Sequence, residues 1–263
     1  MIPIVVSVAG SDCSGGAGIQ ADLKTVAALG GYAATVITAV TAQNTLGVQA
    51  VYPLPKQIVV NQLNAVFSDL RPMAVKIGMM PHAESIDILV HTLDAYRPAW
   101  VVCDPVMIST SGRKLMADNA LTAMQEKLFP RCTLITPNLH EAEHLCGHGL
   151  ADAEAMEPTA CSLAQLYGTS VLIKGGHLSG NLMTDVLYDH NAQQAFCFTD
   201  EKIDSPNLHG TGCTLSSAIA TLLASGHTLP EAVRLAKSYM NQAIERGKEL
   251  HIGQGNGPLG HFK

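Results

Sequence analysis

The sequence predicts an α/β fold in which helices cover both faces of a mostly parallel β-sheet. Short β-branched runs alternate with segments of helical periodicity along the whole chain. The strand candidates, of which "IPIVVSVAG" over residues 2–10 is the first, are continuously apolar, as strands buried on both faces are. A chain of 263 residues that is 47% hydrophobic can bury a large core, in one large domain or in two smaller ones.

The predicted elements follow one another with short connections. The first strand ends at Gly10, and a helix over 17–29 follows because apolar residues recur at helical spacing from Ile19 to Leu29. The other expected strands are 32–40, 48–52, 73–79, 99–104, 132–137 and 170–176, with a hairpin over 184–201. The other expected helices are 56–70, 83–95, 117–128, 139–146, 152–167, 212–225 and 229–249.

Composition excludes several classes of protein. The net charge is −6 and the 16 lysines and arginines are scattered, so we expect no nucleic-acid surface. No apolar run reaches the roughly 18 residues of a membrane span, and the apolar start is too short and uncharged for a secretory signal. Seven cysteines without a CxxC pair indicate neither a disulfide framework nor a structural zinc site. We expect a cytoplasmic protein with reduced thiols.

Ligands of such sheets bind beyond the carboxyl ends of the strands. We therefore expect the chemistry at the residues that end or follow the strands, namely Gly10, Met79, Asp104, Asn138, Lys174 and the loop before Gly210.

The first glycine-rich stretch, "GSDCSGGAG" over 10–18, matches neither common nucleotide-binding motif. Gly16 stands where a P-loop has lysine, and no acidic residue follows "GAGIQA" between Asp22 and Asp69 to bind a ribose. The glycines then predict a loop whose backbone approaches a ligand closely, with Asp12 and Asp22 as nearby acceptors. The alternative for Asp22 is a solvated helix face.

The second stretch, "HGTGCT" over 209–214, is more informative. Backbone N–H groups from Gly210 to Cys213 can form a nest at a helix N-terminus, which suits the negative charge of a transferred phosphoryl group. The same dipole is expected to lower the pKa of the Cys213 thiol, which makes it a candidate general base. The alternative is a small buried residue at a tight helix start.

The stretch "HEAEH" at 140–144 has the HExxH pattern of zinc proteases without a third ligand at the required spacing. A different interpretation fits better. Asn138 and Glu141 lie three residues apart in a first helical turn, and they can direct polar groups toward the strand ends. That arrangement suits a hydrated Mg²⁺ ion, which takes few direct protein ligands.

Taken together, seven segments resemble a known family. They are "GSDCSGGAGIQADLKT", "KIGMM", "CDPVM", "TPNLHEAE", "VLIKGGH", "HGTGCTLSSAIA" and "GQGNGPLGHF", in this order over nearly the whole chain. They resemble the hydroxymethylpyrimidine/phosphomethylpyrimidine kinases of thiamine biosynthesis, which belong to the ribokinase-like superfamily. The resemblance implies one three-layer α/β/α domain over 1–263. It also implies ATP-dependent phosphorylation of 4-amino-5-hydroxymethyl-2-methylpyrimidine to the phosphate and then the diphosphate.

The resemblance also implies roles for single residues. The pyrimidine pocket would be lined by Gly10, Asp22, Gln43, Met79 and Val106. Asp22 and Gln43 would hydrogen-bond the ring nitrogens and the amino group, and Met79 and Val106 would pack on the ring face.

On the phosphate side, the resemblance implies that Gly210, Thr211 and Gly212 cradle the transferred group and that Cys213 accepts the substrate's hydroxyl proton. The residues that would organise Mg²⁺ and the ATP phosphates are Asp104, Asn138, Glu141 and Lys174. Lys237 would reach a phosphate, or else would be a solvated lysine on the last helix.

Two residues depart from the family pattern. Gln43 stands where some members carry glutamate, and an amide can donate as well as accept. Cys13 stands where proline is frequent, which leaves that loop less rigid. The alternatives to the pyrimidine kinase are a pyridoxal kinase of the same fold and a non-catalytic pyrimidine-binding sensor. The resemblance further suggests a homodimer, with activation by a monovalent cation left open.

Overall fold

The computed structural model describes residues 2–107, 115–150, 152–176 and 180–262. The strands are β1 (Ile4–Asp12), β2 (Tyr32–Asn44), β3 (Gly47–Pro53), β4 (Ala74–Ile77), β5 (Trp100–Cys103), β6 (Leu134–Ile135), β7 (Ser170–Ile173), β8 (Leu182–Asp189) and β9 (Gln194–Glu201). Within the described residues they form one sheet in the order β3-β2-β1-β4-β5-β6-β7-β8-β9. The pairs from β2 through β7 are parallel, whereas β3, β8 and β9 pair antiparallel at the two edges.

Eight α-helices connect these strands in the described part of the chain. They are α1 (Gly18–Ala28), α2 (Lys56–Leu70), α3 (Ala83–Tyr96), α4 (Asp118–Ala123), α5 (Leu139–Cys146), α6 (Met156–Tyr167), α7 (Thr211–Ala224) and α8 (Leu229–Gly247). None of the helices found in these residues combines the length and apolarity that a membrane crossing would need.

The core lies on both faces of the sheet. Val6 and Val75 point to one face, where they pack with helices α2 to α6 around residues such as Phe67. Their neighbours Val5 and Ala74 point to the other face, where α1, α7 and α8 pack. Because successive strand residues alternate between two apolar layers, the strands are continuously apolar. The predicted three-layer α/β/α arrangement with a mostly parallel sheet is confirmed.

Several observed boundaries differ from the predicted ones, and β2, for example, continues to Asn44. The helix expected over 117–128 is α4 continued by one π-helical turn (Met124–Leu128), and Pro130 then falls in a short 3₁₀ turn. The helix expected from residue 152 begins at Met156, because Asp152 accepts a hydrogen bond from the Ala155 N–H and forms a turn there. Strand β6 spans two residues. His177, the last residue of the "VLIKGGH" segment, lies outside the described residues.

The C-terminal glycine-rich segment, residues 250–258, fixes the chain that leads into α7. The Thr45 hydroxyl, in the turn between β2 and β3, accepts a hydrogen bond from the Gln254 N–H at 3.1 Å. The Asn256 side chain accepts one from the Leu208 N–H at 2.8 Å. The segment therefore holds the β2–β3 turn and the start of α7 in a fixed relation.

Candidate functional site

The predicted site residues collect at the carboxyl edge of the parallel strands. Asp104 follows β5 directly, and Lys174 follows β7. Asn138 follows β6 after two residues of loop and begins α5. Neighbouring parallel strands end at the same edge of the sheet, so side chains from distant parts of the chain meet there. With the start of α7, four separate chain segments contribute to the site.

Asp104 and Lys174 form the centre of the phosphate side. The Lys174 ammonium donates to Asp104 Oδ1 at 2.7 Å, and the two side chains are 15% and 4% exposed, respectively. Burial opposes the charge on Lys174, but the carboxylates of Asp104 and Glu141 outweigh it and raise the lysine pKa. A side chain on Gly212 would place its Cβ 3.0 Å from Asp104 Oδ2 and 3.5 Å from Lys174 Nζ. The first turn of α7 therefore lies directly over this ion pair.

Asn138 and Glu141 form a capping box at the start of α5. Asn138 Oδ1 accepts from the Glu141 N–H at 2.9 Å, and the Glu141 carboxylate accepts from the Asn138 N–H at 2.8 Å. Burial raises the pKa of Glu141 to about 7, with Lys174 opposing the shift and Asp104 adding to it. Two buried carboxylates near one ammonium form a donor set that a hydrated Mg²⁺ would fit, since the added positive charge would favour both ionised forms.

The start of α7 has the expected nest geometry. Gly210 is the N-cap residue with φ of +92°, a conformation that favours glycine, and it packs against the carbonyl of Gly16. The Thr211 N–H donates to the Leu208 carbonyl, and no side chain caps the helix. The backbone N–H groups of Gly212 and Cys213 are therefore left for a ligand at the positive end of the helix.

The structure corrects the expected acidity of Cys213. Burial raises the pKa of this thiol to about 11, although the residue keeps partial exposure. The Lys76 ammonium opposes the shift, whereas the carboxylates of Asp22 and Asp104 add to it. The prediction of a lowered pKa was wrong because it counted the helix dipole and left out desolvation and two nearby carboxylates.

Asp22 is fully buried in a hydrogen-bonded network. Both carboxylate oxygens accept from the Lys76 ammonium at 2.9 Å, and the hydroxyls of Ser7 and Ser217 also donate to them. These three donor groups make four hydrogen bonds and leave the carboxylate no accessible lone pair to accept from a pyrimidine N–H. The structure thus supports neither the expected contact of Asp22 with the pyrimidine nor the solvated alternative.

Sequence reasoning missed Lys76 as a functional candidate. Its side chain is fully buried in β4, and the Asp22 carboxylate raises its pKa against the opposing effect of burial. The signal was present, since a lysine within the apolar run "MAVKIGM" needs a buried partner. The ion pair lies under Cys213, whose thiol it influences.

The other residues assigned to the pyrimidine side lie at or just beyond the ends of four strands, β1, β2, β4 and β5. Gly10 packs against the Met79 thioether, and Val106 follows Asp104 with its N–H bonded to the Asp104 carbonyl. The Gln43 side-chain amide lies 3.0 Å from Nε2 of His209. His209 is the second residue that sequence reasoning missed, although it begins the "HGTGCT" stretch.

The N-terminal glycine loop packs against the start of α7. Asp12 accepts from the N–H groups of Gly16 and Ala17, which closes the loop over its own carboxylate. Gly16 in turn lies against the imidazole of His209. The absence of a side chain at Gly16 is therefore explained by its contact with the residue that precedes α7.

Lys237 lies apart from the other candidates. Its ammonium donates to Asp185 at 2.6 Å and lies 3.4 Å from Asp200, both in the β8–β9 hairpin. The residue is buried, so it is not the solvated lysine of the alternative interpretation, and its ion pairs do not leave it directed at a phosphate. Its role here is to join α8 to the hairpin.

The "HEAEH" helix divides its polar residues between two sides. Glu141 points inward to the capping box, whereas His140 is exposed and its Nδ1 lies 3.3 Å from Glu143. In the part of the chain that the structure describes, no three side chains of His, Cys, Asp or Glu come together as metal ligands would. A site for Mg²⁺ would then rely on Asp104, Glu141 and water.

Comparison with known proteins agrees with this geometry. The model of the phosphomethylpyrimidine kinase family matches residues 12–260. The chain is 48% identical to hydroxymethylpyrimidine/phosphomethylpyrimidine kinase of Rhizobium meliloti, over 100% of this chain and 98% of that protein. It is 47% identical to the thiamine biosynthesis bifunctional protein ThiED of Geobacter sulfurreducens over 98% of its own length, but it spans only 52% of that longer protein.

A solved structure gives the same result for the fold. The pyridoxal kinase of Staphylococcus aureus in complex with AMP-PCP and pyridoxal superposes with a TM-score of 0.89 at 34% identity, covering 99% of this chain and 94% of that one. The strand order, the first turn of α7 and the match of the family model over residues 12–260 lead to one assignment. The chain belongs to the phosphomethylpyrimidine kinase family.

Proposed function

We propose that this protein transfers the γ-phosphoryl group of ATP to the hydroxymethyl group of 4-amino-5-hydroxymethyl-2-methylpyrimidine, and then a second group to the resulting phosphate. The observation that carries the proposal is the uncapped first turn of α7 placed over the Asp104–Lys174 pair. The name of the Rhizobium relative covers both substrates, and the staphylococcal kinase holds a nucleotide analogue.

The phosphate side supplies most of the catalysis in this proposal. Gly210, Thr211 and Gly212 form the turn that cradles the transferred group, the N–H groups of Gly212 and Cys213 and the helix dipole point to it, and Lys174 adds a positive charge. Phosphoryl transfer depends largely on such positioning and charge stabilisation. The substrate oxygen forms its bond to the γ-phosphorus as the bond from that phosphorus to ADP breaks.

Asp104, Asn138 and Glu141 would hold Mg²⁺ and its waters. When bound, the ion would neutralise charge on the ATP phosphates. Asp104 and Glu141 supply the negative charge for it, and Asn138 orients Glu141 through the capping box.

Cys213 accepts the hydroxyl proton at its sulfur. With a pKa of about 11, only about one thiol in ten thousand is ionised at pH 7. The Lys76 ammonium favours the thiolate, so the lysine and its partner Asp22 act as positioning residues beneath the thiol. A general base whose pKa is near the working pH contributes roughly 10²–10⁴-fold, and the small thiolate fraction puts Cys213 at the low end of that range at pH 7.

The pyrimidine binds against Gly10, Gln43, Met79 and Val106. Met79 and Val106 supply apolar contact with the ring, and the Gln43 amide supplies a donor and an acceptor. We further propose that residues 1–263 act as one catalytic unit and that two copies form a homodimer. All seven cysteines are unpaired, which supports a reducing compartment such as the cytoplasm.

The second candidate is a pyridoxal kinase, which the staphylococcal structure favours because that relative is named for pyridoxal. The test is ATP-dependent phosphorylation of the pyrimidine with Mg²⁺, with product masses resolved and pyridoxal run alongside. We expect a monophosphate and then a diphosphate from the pyrimidine. Faster turnover of pyridoxal would favour the second candidate, and binding of the pyrimidine without turnover would indicate a sensor.

A further inference from the structure

Three side chains form a hydrogen-bonded row between the N-terminal loop and the start of α7. Nε2 of His209 lies 2.8 Å from Asp12 Oδ2 and 3.0 Å from the Gln43 amide. The side chains of His209 and Asp12 are 11% and 4% exposed, so the contacts are shielded from water. Because His209 immediately precedes Gly210, the row connects the pyrimidine side directly to the phosphate nest.

The charge of Asp12 determines which atom is the donor in its hydrogen bond with His209. Burial opposes its charge, but hydrogen bonds from His209, Ser14 and Ala17 outweigh burial and lower the pKa of Asp12 to about 2. An ionised carboxylate can only accept hydrogen bonds. Nε2 of His209 must therefore carry the hydrogen that lies between the imidazole and Asp12.

That hydrogen fixes the orientation of the Gln43 amide. A nitrogen that bears a hydrogen cannot accept from an amide N–H, so the oxygen of the Gln43 amide must face His209. The oxygen and nitrogen of a side-chain amide have nearly the same size, so this assignment only interchanges the two atoms. The other end faces the Thr41 hydroxyl at 3.3 Å. That hydroxyl donates its own hydrogen to the Ser11 carbonyl, so it is free to accept from the amide.

We propose that His209 is a positioning residue for pyrimidine recognition, which orients the Gln43 amide and thereby selects among heterocycles. The inference rests on the proposed function and deepens it. His209 is itself held in place, because Gly16 packs against its ring and the Gly257 carbonyl accepts its backbone N–H at 3.1 Å. His209 affects pyrimidine binding only by orienting Gln43, so replacing His209 should have no effect on binding once the Gln43 side chain is removed.

The test compares His209→Leu with His209→Gln. Leucine removes the N–H donor, whereas glutamine keeps a donor at similar reach. Loss of a hydrogen bond to a charged or oriented group is expected to weaken pyrimidine binding about tenfold or more in the leucine variant, as measured by calorimetry. We expect the glutamine variant to stay within about threefold of wild type and the KM for ATP to stay within about twofold in both.

A double-mutant cycle separates positioning from a structural role. In the Gln43→Ala background, His209→Leu should weaken pyrimidine binding no further. The matched control is His227→Leu, which removes a surface histidine–glutamate pair near the other end of α7, about 21 Å away by helix length. It should change neither binding nor turnover, and thermal unfolding verifies that each variant is folded.

Two results would overturn the inference alone, provided that the wild type binds the pyrimidine. One is an additive loss in the Gln43→Ala background, and the other is a glutamine variant as weak as the leucine variant. A wild-type protein that does not bind the pyrimidine at all would overturn the proposed function together with the inference.

Discussion

Two helices, α5 and α7, begin at the carboxyl edge of the sheet, and only the first is capped by side chains. In α5, Asn138 and Glu141 satisfy each other's backbone N–H groups through the capping box. In α7, Gly210 provides no side chain, and the N–H groups of Gly212 and Cys213 stay uncapped. The comparison shows how one edge can hold a cation and an anion, because α5 directs a carboxylate toward the site and α7 directs backbone donors toward it.

The largest expected effect comes from adding a charged side chain to the first turn of α7. Gly212→Asp would place a carboxylate beside Asp104 and at the positive end of α7, where the proposal puts the transferred phosphoryl group. We expect turnover to fall by about a thousandfold or more, comparable with the loss of preorganised charge stabilisation in other active sites. Steady-state kinetics provides the measurement, and thermal unfolding serves as the control for folding. Turnover within about tenfold of wild type would show that the first turn of α7 does not bind the phosphoryl group.

The next effect concerns the ion pair beneath α7. Lys76→Met leaves the Asp22 carboxylate buried without its ammonium, which we expect to destabilise the protein by about 3–5 kcal/mol in urea unfolding. Removing both charges with Asp22→Leu and Lys76→Met should restore most of that stability. If the lysine also favours the Cys213 thiolate, the double variant should be stable and nevertheless slow. A double variant with full turnover would restrict the pair to a structural role.

A smaller effect tests the carboxylate of α5. The pKa of Glu141 is about 7 in the folded protein, above its ordinary value of 4.5, so the folded state binds this proton more tightly than the unfolded chain does. Stability is therefore lost as the pH rises from about 4.5 to 7. Glu141→Gln keeps the capping box and carries no charge, so it should stabilise the metal-free protein by on the order of 1–3 kcal/mol at pH 8.

Glu141→Gln should give no such gain in stability at pH 4.5, because the folded protein then carries a neutral side chain at this position with either residue. It should also weaken the dependence of activity on Mg²⁺, because the site loses one of its two carboxylates. Thermal unfolding at the two pH values and a magnesium titration of turnover provide the measurements. A gain in stability that is equal at both pH values would contradict the raised pKa.

Most of the fold could be predicted from the sequence because its signals are local. Continuously apolar runs mark the parallel strands, and the spacing of apolar residues marks helices such as α2, whose predicted bounds match. The edge at which Asp104, Asn138 and Lys174 meet also follows from strand direction alone. The boundaries near Met124 and Met156 depend on turn geometry, for which the sequence pattern is a weaker guide.

The site could be predicted only in part because its electrostatics depend on distant residues. Asp22 and Lys76 are 54 positions apart, and the sequence gives no sign that they pair. The acidity of Cys213 was misjudged for the same reason, since burial and the two carboxylates near it arise from tertiary packing. The resemblance identified Asp22 and Cys213, whereas Lys76, which influences both, was found only in the structure.

The most direct test of the account is the turnover of Cys213→Ala with the hydroxymethyl pyrimidine and ATP. If the thiol at the start of α7 accepts the substrate proton, kcat at pH 7 should fall by about a hundredfold while pyrimidine affinity stays within about threefold. The wild-type kcat/KM should also rise with pH through the neutral range, because the thiolate fraction grows toward a pKa of about 11, and the variant should lose that rise. Unchanged turnover in the variant would contradict the role of Cys213.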